Sequence, residues 1–488
     1  MKLLAIIIWL PLVIRKILFW IQLWQQKEYR LDRIVIYLRN KHNLRSWLGY
    51  NVIFNQGLKR PFFTPKATLL TGSSLISSIT IEALFLTTDA WWFGLVTSYL
   101  IIPITVAFMV FCLSVPSFIA KQIIIEIAKI KIKNRKSPLV VIGITGSYGK
   151  TSTKQLLEHV LKTKFKVFAT GQSHNTLFSV ATDLVKFLSD EQTHAIIEYG
   201  AYKRGEIKQL TKLIGPQIAI LTGIAKQHYS LFGSYENLKK AKFELLESLL
   251  PGGLAFINCE DKNTQKLQAM ADQSHIRWNC FETKKWQTEN FKLVNGCLNF
   301  CLNSKKKRLS IQTNLLGNIY KENIKAVLAV AEHLGITEDM AAEALNSFKP
   351  TDHFISRSSG LNKSTLLDDG GTTNPKGFES AIQIADNMQY NKKILVTSGI
   401  IDLGDASVQI HSELGEATRE VFDTVFFAGA DGYDSFLKGW NKISGSKSIF
   451  RILENSDLGR LQKEIDKNTL VLIEGRLPTR VIKLLKSI

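Results

Sequence analysis

Residues 90–120, AWWFGLVTSYLIIPITVAFMVFCLSVPSFIA, form a run of 31 positions without one charged side chain. About 20 apolar residues in a helix cross a ~30 Å hydrocarbon core at 1.5 Å per residue. This run therefore predicts a membrane span. Residues 67–88 form a second candidate, interrupted by Glu82 and by many Ser and Thr, and Asp89, Trp91 and Trp92 lie between the two as turn and interfacial aromatics would. Together they predict a helical hairpin, with Glu82 turned toward the bundle. Residues 25–66 carry nine basic and two acidic side chains, and residues 121–136 carry six and one. Lys and Arg are retained on the cytoplasmic side, so both flanks are expected there. Residues 3–24 are apolar apart from Arg15 and Lys16. They lack a leading charge and a small-residue cleavage site, and read as an uncleaved anchor or as an interfacial helix.

The charge balance supports the same division. The chain of 488 residues has a formal net charge of +20, and residues 1–136 contribute +13 of it. Basic residues interleaved with apolar runs belong at a membrane surface, so no nucleic-acid partner is expected. Cys112, Cys259, Cys280, Cys297 and Cys301 are an odd set without a CxxC pair. They read as ordinary thiols of a cytosol-facing chain with no disulfide framework. No Cys/His pair completes a zinc site around Cys297 and Cys301.

From residue 138 short apolar runs alternate with amphipathic stretches. Leu139–Ile144, Phe165–Ala169, Ala195–Glu198, Ile218–Thr222 and Leu254–Asn258 read as buried strands, with helical spacing over 152–163 and 236–249. The alternation predicts a parallel sheet covered by helices. The first strand runs into Gly143-Ile144-Thr145-Gly146-Ser147-Tyr148-Gly149-Lys150-Thr151-Ser152. Glycines let a backbone fold around a phosphate at a helix N-terminus. Gly146, Ser147, Gly149 and Ser152 would form the cradle, Lys150 would reach the outer phosphates, and Thr151 would offer its hydroxyl to magnesium.

These residues resemble the phosphate loop of the Mur ligases, a TGxxGKT variant, and the resemblance extends from about residue 138 to the C-terminus. Glu198-Tyr199-Gly200-Ala201 with Gly205-Glu206-Ile207 is similar to the family's EMGA…GEI segment. Ala225-Lys226-Gln227-His228 with Phe232-Gly233-Ser234 resembles AHxxxFGS, Ala241-Lys242-Phe243-Glu244 resembles AKxE, and Asn258-Cys259-Glu260-Asp261 resembles NxDD. Gly317 and Asn323 fit GxHxxxN, with Ile319 at the His position. Asp368-Asp369-Gly370-Gly371-Thr372-Thr373-Asn374-Pro375 is similar to DDSYNANP, and Gly399-Ile400-Ile401-Asp402-Leu403-Gly404 with His411 to GDMxELG…LH. The last two belong to the branch that adds D-alanyl-D-alanine to a muramyl tripeptide.

The resemblance implies an ATP- and Mg2+-dependent ligase that joins an amine to a carboxylate through an acyl phosphate, in peptidoglycan precursor synthesis. It assigns Lys150, Glu198, His228 and Lys242 to catalysis and Thr151, Glu198, His228 and Lys242 to metal support, with Lys242 converted to N6-carboxylysine. Taken alone, Lys242 reads as a solvated lysine of a basic helix. Asn258 and Asn323 match adenine-side contacts, Asp369 a ribose contact and Arg357 a loosely aligned nucleotide-side arginine. Asn175, Asn374 and His411 are assigned to substrate, although Asn374 also reads as a plain turn residue. The family's late KGSR is altered to Glu474-Gly475-Arg476.

The expected fold class is α/β in three parts: membrane-anchoring helices over 1–136, a central P-loop parallel-sheet domain over 137–350, and a C-terminal Rossmann-like domain over 351–488. The expected location is the bacterial inner membrane, with the catalytic domains facing the cytoplasm. No counterpart of the family's small UDP-binding domain is visible, so the substrate is either held differently or is lipid-linked. A nucleotide-binding scaffold without turnover, or a ligase for another peptide-like carboxylate, are the competing readings. Joint retention of Lys150, Glu198, His228 and Lys242 favours an enzyme, since a scaffold needs no second-metal support.

Overall fold

The structure is a computed structural model describing residues 2–486 except 28, 30, 40–60, 226–231, 282, 284, 295, 306, 352–353, 370–373, 401–402, 404–405, 430–431 and 453–454. It divides into two compact units, Met1–Ile123 and Ile124–Ile488.

The first unit holds α1 (Lys2–Gln26), α2 (Leu31–Arg39), α3 (Pro65–Leu86) and the start of α4 (Trp91–Lys133). Helices α1, α3 and α4 are each long and apolar enough to cross a membrane. Residues 3–24 thus lie in one unbroken helix that contains Pro11, Arg15 and Lys16. Lys16 is fully buried; its Nζ donates to Tyr99 O at 2.9 Å and sits 4.0 Å from the Tyr99 ring centroid. Val13, Ile17, Trp20, Ile21, Leu70, Ile102 and Val106 form the shared core. Leu69, Ile76, Leu84, Ile104 and Phe108 point outward, leaving an apolar exterior. Glu82 is buried as expected, packed where Gly94 leaves room for its carboxyl.

The second unit contains two six-stranded sheets. The central sheet uses β1 (Val140–Thr145), β2 (Val167–Ala169), β3 (His194–Glu198), β4 (Ile218–Leu221), β5 (Leu254–Ile257) and β6 (Trp278–Cys280). Its order is β2-β3-β1-β4-β5-β6, and every pairing is parallel. Side chains alternate between two cores: Ile142, Ile144, Ile196, Ile218 and Ile220 face one, and Val141, Ala195, Ile197, Ala219 and Leu221 face the other. That burial on both faces explains the continuous apolar runs. Its functional helices are α5 (Lys150–Leu161), α6 (Leu177–Phe187), α7 (Glu206–Leu213), α8 (Tyr235–Glu247) and α9 (Gln265–Gln273).

A three-stranded antiparallel sheet, β7 (Trp286–Val294), β8 (Cys297–Ser304) and β9 (Arg308–Leu316), follows; the strand pattern of the sequence did not reveal it. Helices α10 (Lys321–His333) and α11 (Glu338–Ser347) then lead to the C-terminal sheet. That sheet contains β10 (Ser356–Ser359), β11 (Thr365–Asp369), β12 (Lys392–Thr397), β13 (Thr424–Phe427), β14 (Ser448–Arg451) and β15 (Thr469–Glu474), in the order β10-β11-β15-β12-β13-β14. Only β10 is antiparallel to its neighbour. Helix α12 (Pro375–Asp386) follows β11 and α13 (Ser407–Val421) follows β12.

The cysteine expectation is corrected. Cys259 and Cys280 form a disulfide with Cα atoms 5.5 Å apart. Ile257 of β5 is in register with Cys280 of β6, and Cys259 lies two residues further on. The 21-residue separation conceals a pairing set by sheet register. Cys112, Cys297 and Cys301 are free thiols.

Candidate active site

The carboxyl ends of β1, β3, β4 and β5 converge on one loop, where open parallel sheets place their ligands. Strand β1 ends at Thr145, whose Oγ1 donates to Tyr199 O at 2.9 Å. The chain then turns through Gly146, with φ +152°, and Gly149, with φ +74°, before α5 starts. A Cβ at Gly146 would collide with Thr222 Oγ1. Gly146→Ala is therefore expected to weaken binding of an ATP analogue about tenfold or more, because the loop must shift off Thr222. Titration of the analogue checks this, and wild-type affinity would free the loop from that constraint.

Each predicted loop residue has a definite place. Ser147 is buried, with its amide donating to Gly223 O at 2.8 Å and its hydroxyl to Ala225 O at 3.0 Å. It fixes the loop to the end of β4. Lys150 Nζ donates to Gly146 O at 2.9 Å, folding back over the loop. Thr151 and Ser152 lie in the first turn of α5, where amides lack intrahelical acceptors. Asn323 Nδ2 donates to Gly149 O at 3.2 Å and clamps the loop from α10. Asn258 Nδ2 donates to Thr222 O at 2.9 Å while its Oδ1 accepts the Glu260 amide, so this side chain too is engaged within the protein.

Glu198, at the end of β3, is the electrostatic centre. Thr151 Oγ1 donates to its Oε2 at 3.0 Å, Asn175 Nδ2 donates to its Oε1 at 3.1 Å, and Lys154 Nζ lies 3.4 Å from Oε2. Burial alone would raise the carboxyl, but Lys150, Lys154 and the two hydrogen bonds outweigh it and hold Glu198 below the ordinary value. Lys154 is a site residue that the motif reading missed. It is buried, donates to Gly171 O at 2.7 Å, and stands one helical turn beyond Lys150. That i, i+4 spacing was the available signal.

Lys242 overturns its solvated reading, since it is buried on α8. Burial, and then the Lys150 charge, pull its ammonium down to about 7 against the pull of Glu198, Glu206 and Glu244. Glu244, two residues on, accepts the Gly205 and Lys208 amides at 2.6 and 3.1 Å and so caps α7. His228 lies outside the described residues.

The comparisons follow from this geometry. Residues 144–331 match the Mur ligase middle domain. The UDP-N-acetylmuramoyl-tripeptide–D-alanyl-D-alanine ligase of Bacillus subtilis (strain 168) is 27% identical over 356 residues, 71% of this chain and 75% of that protein. Residues 144–331 thus carry a Mur ligase middle domain, and the chain is similar to such ligases over most of its length. A solved structure of MurF from Acinetobacter baumannii, at 22% identity, covers 74% of this chain and 78% of that one with a TM-score of 0.65. MurF ligase from Thermotoga maritima in complex with ADP, also at 22%, covers 75% and 83% with a TM-score of 0.63. These structures share the fold of this chain, an ATP-dependent ligase.

The residues fit a magnesium triphosphate: a loop with two positive-φ glycines at a helix start, a lysine over it, and a hydroxyl–carboxylate pair at Thr151 and Glu198. In the C-terminal part of the chain, Asp369 ends β11, buried and in register with Glu474 of β15. Burial and then Asp369 and Asp368 push the Glu474 carboxyl well above the ordinary value. The Asp369 carboxylate also acts on Tyr320, beside the start of α10. Arg357 stands exposed on edge strand β10 near Cys297, with no bond to the phosphate loop among the described residues.

Asn374 and His411, assigned to substrate by the resemblance, are both engaged within the protein. Asn374 caps α12, its side-chain oxygen accepting the Gly377 amide at 2.9 Å, as the turn reading held. His411 is fully buried: Nε2 accepts the Ile400 amide at 3.1 Å and Nδ1 donates to Ser407 O at 2.8 Å. A histidine held by backbone at both nitrogens positions the loop after β12. Asn175 remains in the cluster, but as the partner that orients Glu198.

A cavity of about 530 Å³ opens along α5, bordered by Lys154, His159, Lys162, Thr170, Phe348 and Lys349. It shares Lys154 with the cluster and none of its other members.

Proposed function

We propose that this Mur ligase uses ATP to join D-alanyl-D-alanine to the terminal carboxylate of a muramoyl tripeptide. The convergence of Lys150, Thr151, Glu198 and buried Lys242 carries the reading, in a chain matched over 71% of its length by a ligase of that name. A carboxylate is a poor electrophile. It accepts the terminal phosphoryl group of ATP, giving an acyl phosphate and ADP. The amine then attacks the carbonyl carbon, loses a proton, and the C–O bond breaks to release phosphate. Positioning and charge neutralisation provide most of the acceleration for such transfers. Lys150 neutralises outer phosphate oxygens, and Asn175 with Lys154 holds Glu198 in place and ionised. Thr151 and Glu198 would hold magnesium, which when bound supplies Lewis-acid charge stabilisation.

Lys242 is proposed to become N6-carboxylysine. With a pKa near 7 a large share of its amine is neutral, so it adds to carbon dioxide, sheds a proton and leaves an anion that supports a metal. The chain is further proposed to sit in the bacterial cytoplasmic membrane through α1, α3 and α4, with its ligase part facing the cytoplasm, as the basic flanks favour.

The test incubates full-length protein with ATP, D-alanyl-D-alanine and the muramoyl tripeptide, presented UDP-linked or lipid-linked. Release of ADP and phosphate that requires both the tripeptide and the dipeptide supports the reading. Release that ignores either would overturn it. The preferred form of the tripeptide decides whether the substrate is soluble or membrane-borne. Extraction of cell membranes with alkaline carbonate tests the anchor, and release of the chain would remove it.

A further inference from the structure

We infer that Lys376 is a positioning residue of the ligase, clamping the C-terminal domain to the phosphate loop through Tyr148. Lys376 is an exposed residue in the first turn of α12, a start made rigid by Pro375 and the Asn374 cap. Its Nζ donates to Tyr148 Oη at 2.8 Å and lies 4.4 Å from the centroid of the same ring. Tyr148 is the loop residue two positions before Lys150. Its hydroxyl donates in turn to Asp261 Oδ2 at 2.8 Å. Asp261 is buried, and it also accepts the Ile224 amide at 2.8 Å and two donors of Asn263 at 3.0 Å each. The Tyr148 hydroxyl approaches the backbone at Gly223 so closely that a Cβ there would collide with it.

The phenol is thus fixed from the central domain before Lys376 reaches it. Burial and the Asp261 carboxylate keep it protonated, so it donates to Asp261 and offers its lone pair to the ammonium. A cation in the first turn of a helix opposes the macrodipole, so α12 gains nothing from Lys376 itself. The gain lies across the domain boundary, where a charged hydrogen bond and a cation–π contact fall on one residue. The loop belongs to the central domain and binds phosphates with or without this contact. The clamp acts on the step that needs both domains together, the transfer that must exclude water.

This inference rests on the ligase reading, and the test separates the two. Full-length wild type, Tyr148→Phe, Lys376→Ala, Lys376→Arg and the Tyr148→Phe/Lys376→Ala pair are compared in detergent. The readouts are kcat, the Kd of adenylyl imidodiphosphate, and hydrogen exchange at the start of α12 with that analogue bound. Each of Tyr148→Phe and Lys376→Ala is expected to lower kcat about tenfold, with the analogue Kd within about twofold of wild type. The pair should be no worse than either alone, α12 should exchange faster in both, and Lys376→Arg should keep most of the activity. Additive losses, unchanged kcat, unchanged exchange, or an analogue Kd raised along with the loss would overturn the clamp. If wild type turns over none of the proposed substrates, that reading fails, while the exchange comparison still decides the clamp.

Discussion

Glu198→Gln is expected to reduce turnover by about a thousandfold or more, the scale of losing a charge that holds a catalytic metal. The amide keeps the volume of the side chain but removes the negative charge that Lys150, Lys154 and Thr151 surround. It also leaves the Lys154 ammonium buried without its counter-ion. Removing one partner of such a pair costs about 3–5 kcal/mol. The variant should therefore lose thermal stability as well as activity, measured by calorimetry alongside ADP release. Near-normal turnover would take Glu198 out of the mechanism. Loss of activity without loss of stability would show that Lys154 finds another partner.

Lys242→Met separates function from stability in the opposite sense. Turnover should fall by at least about a hundredfold, because the methyl thioether cannot form a carbamate. Stability should rise in metal-free, carbonate-free buffer. The folded pKa of Lys242, about 7, lies below the unfolded value of 10.5. Below pH 7 both states hold the proton and the buried charge is fully penalised. Between pH 7 and 10.5 the unfolded chain holds more protons, so rising pH relieves the penalty. Methionine removes it altogether, a gain on the order of 2–4 kcal/mol at pH 6 that fades toward pH 10. Denaturation of both proteins across this range, with short carboxylic acids added in the activity assay, checks the two halves together. An active Lys242→Met protein would end the carbamate proposal.

The parts of this site that were legible in the sequence are local ones. Gly146 to Ser152 is contiguous, so strand, turn and helix start could be read directly. Glu198 was marked by its place at the end of a buried strand. Lys242 carried a misleading local signal, because Lys239 and Lys240 beside it suggested a wet face while the helix turns this one lysine inward. Cys259 and Cys280 meet through the register of β5 and β6, and Lys376 meets Tyr148 across 228 residues; neither relation leaves a periodic trace. Strands β7 to β9 were missed because alternate residues are polar and exposed, so no continuous apolar run marks them. The same alternation would have suited a half-buried antiparallel sheet.

The paired carboxyls at the ends of β11 and β15 give the C-terminal sheet its own proton inventory. Burial and the neighbouring carboxylates raise the folded Glu474 pKa well above 4.5, so the folded chain holds this proton more tightly than the unfolded chain does. Folding of this sheet therefore takes up a proton in the interval between the unfolded and the folded pKa of Glu474. Its contribution is whole in acid, below the unfolded pKa, and is lost as pH climbs through the folded value. Lys242 gives up protons on folding, and Glu474 takes them up. Rising pH thus relieves the buried charge at Lys242 while it removes the Glu474 contribution from the C-terminal sheet, so the two sites respond to alkali with opposite signs.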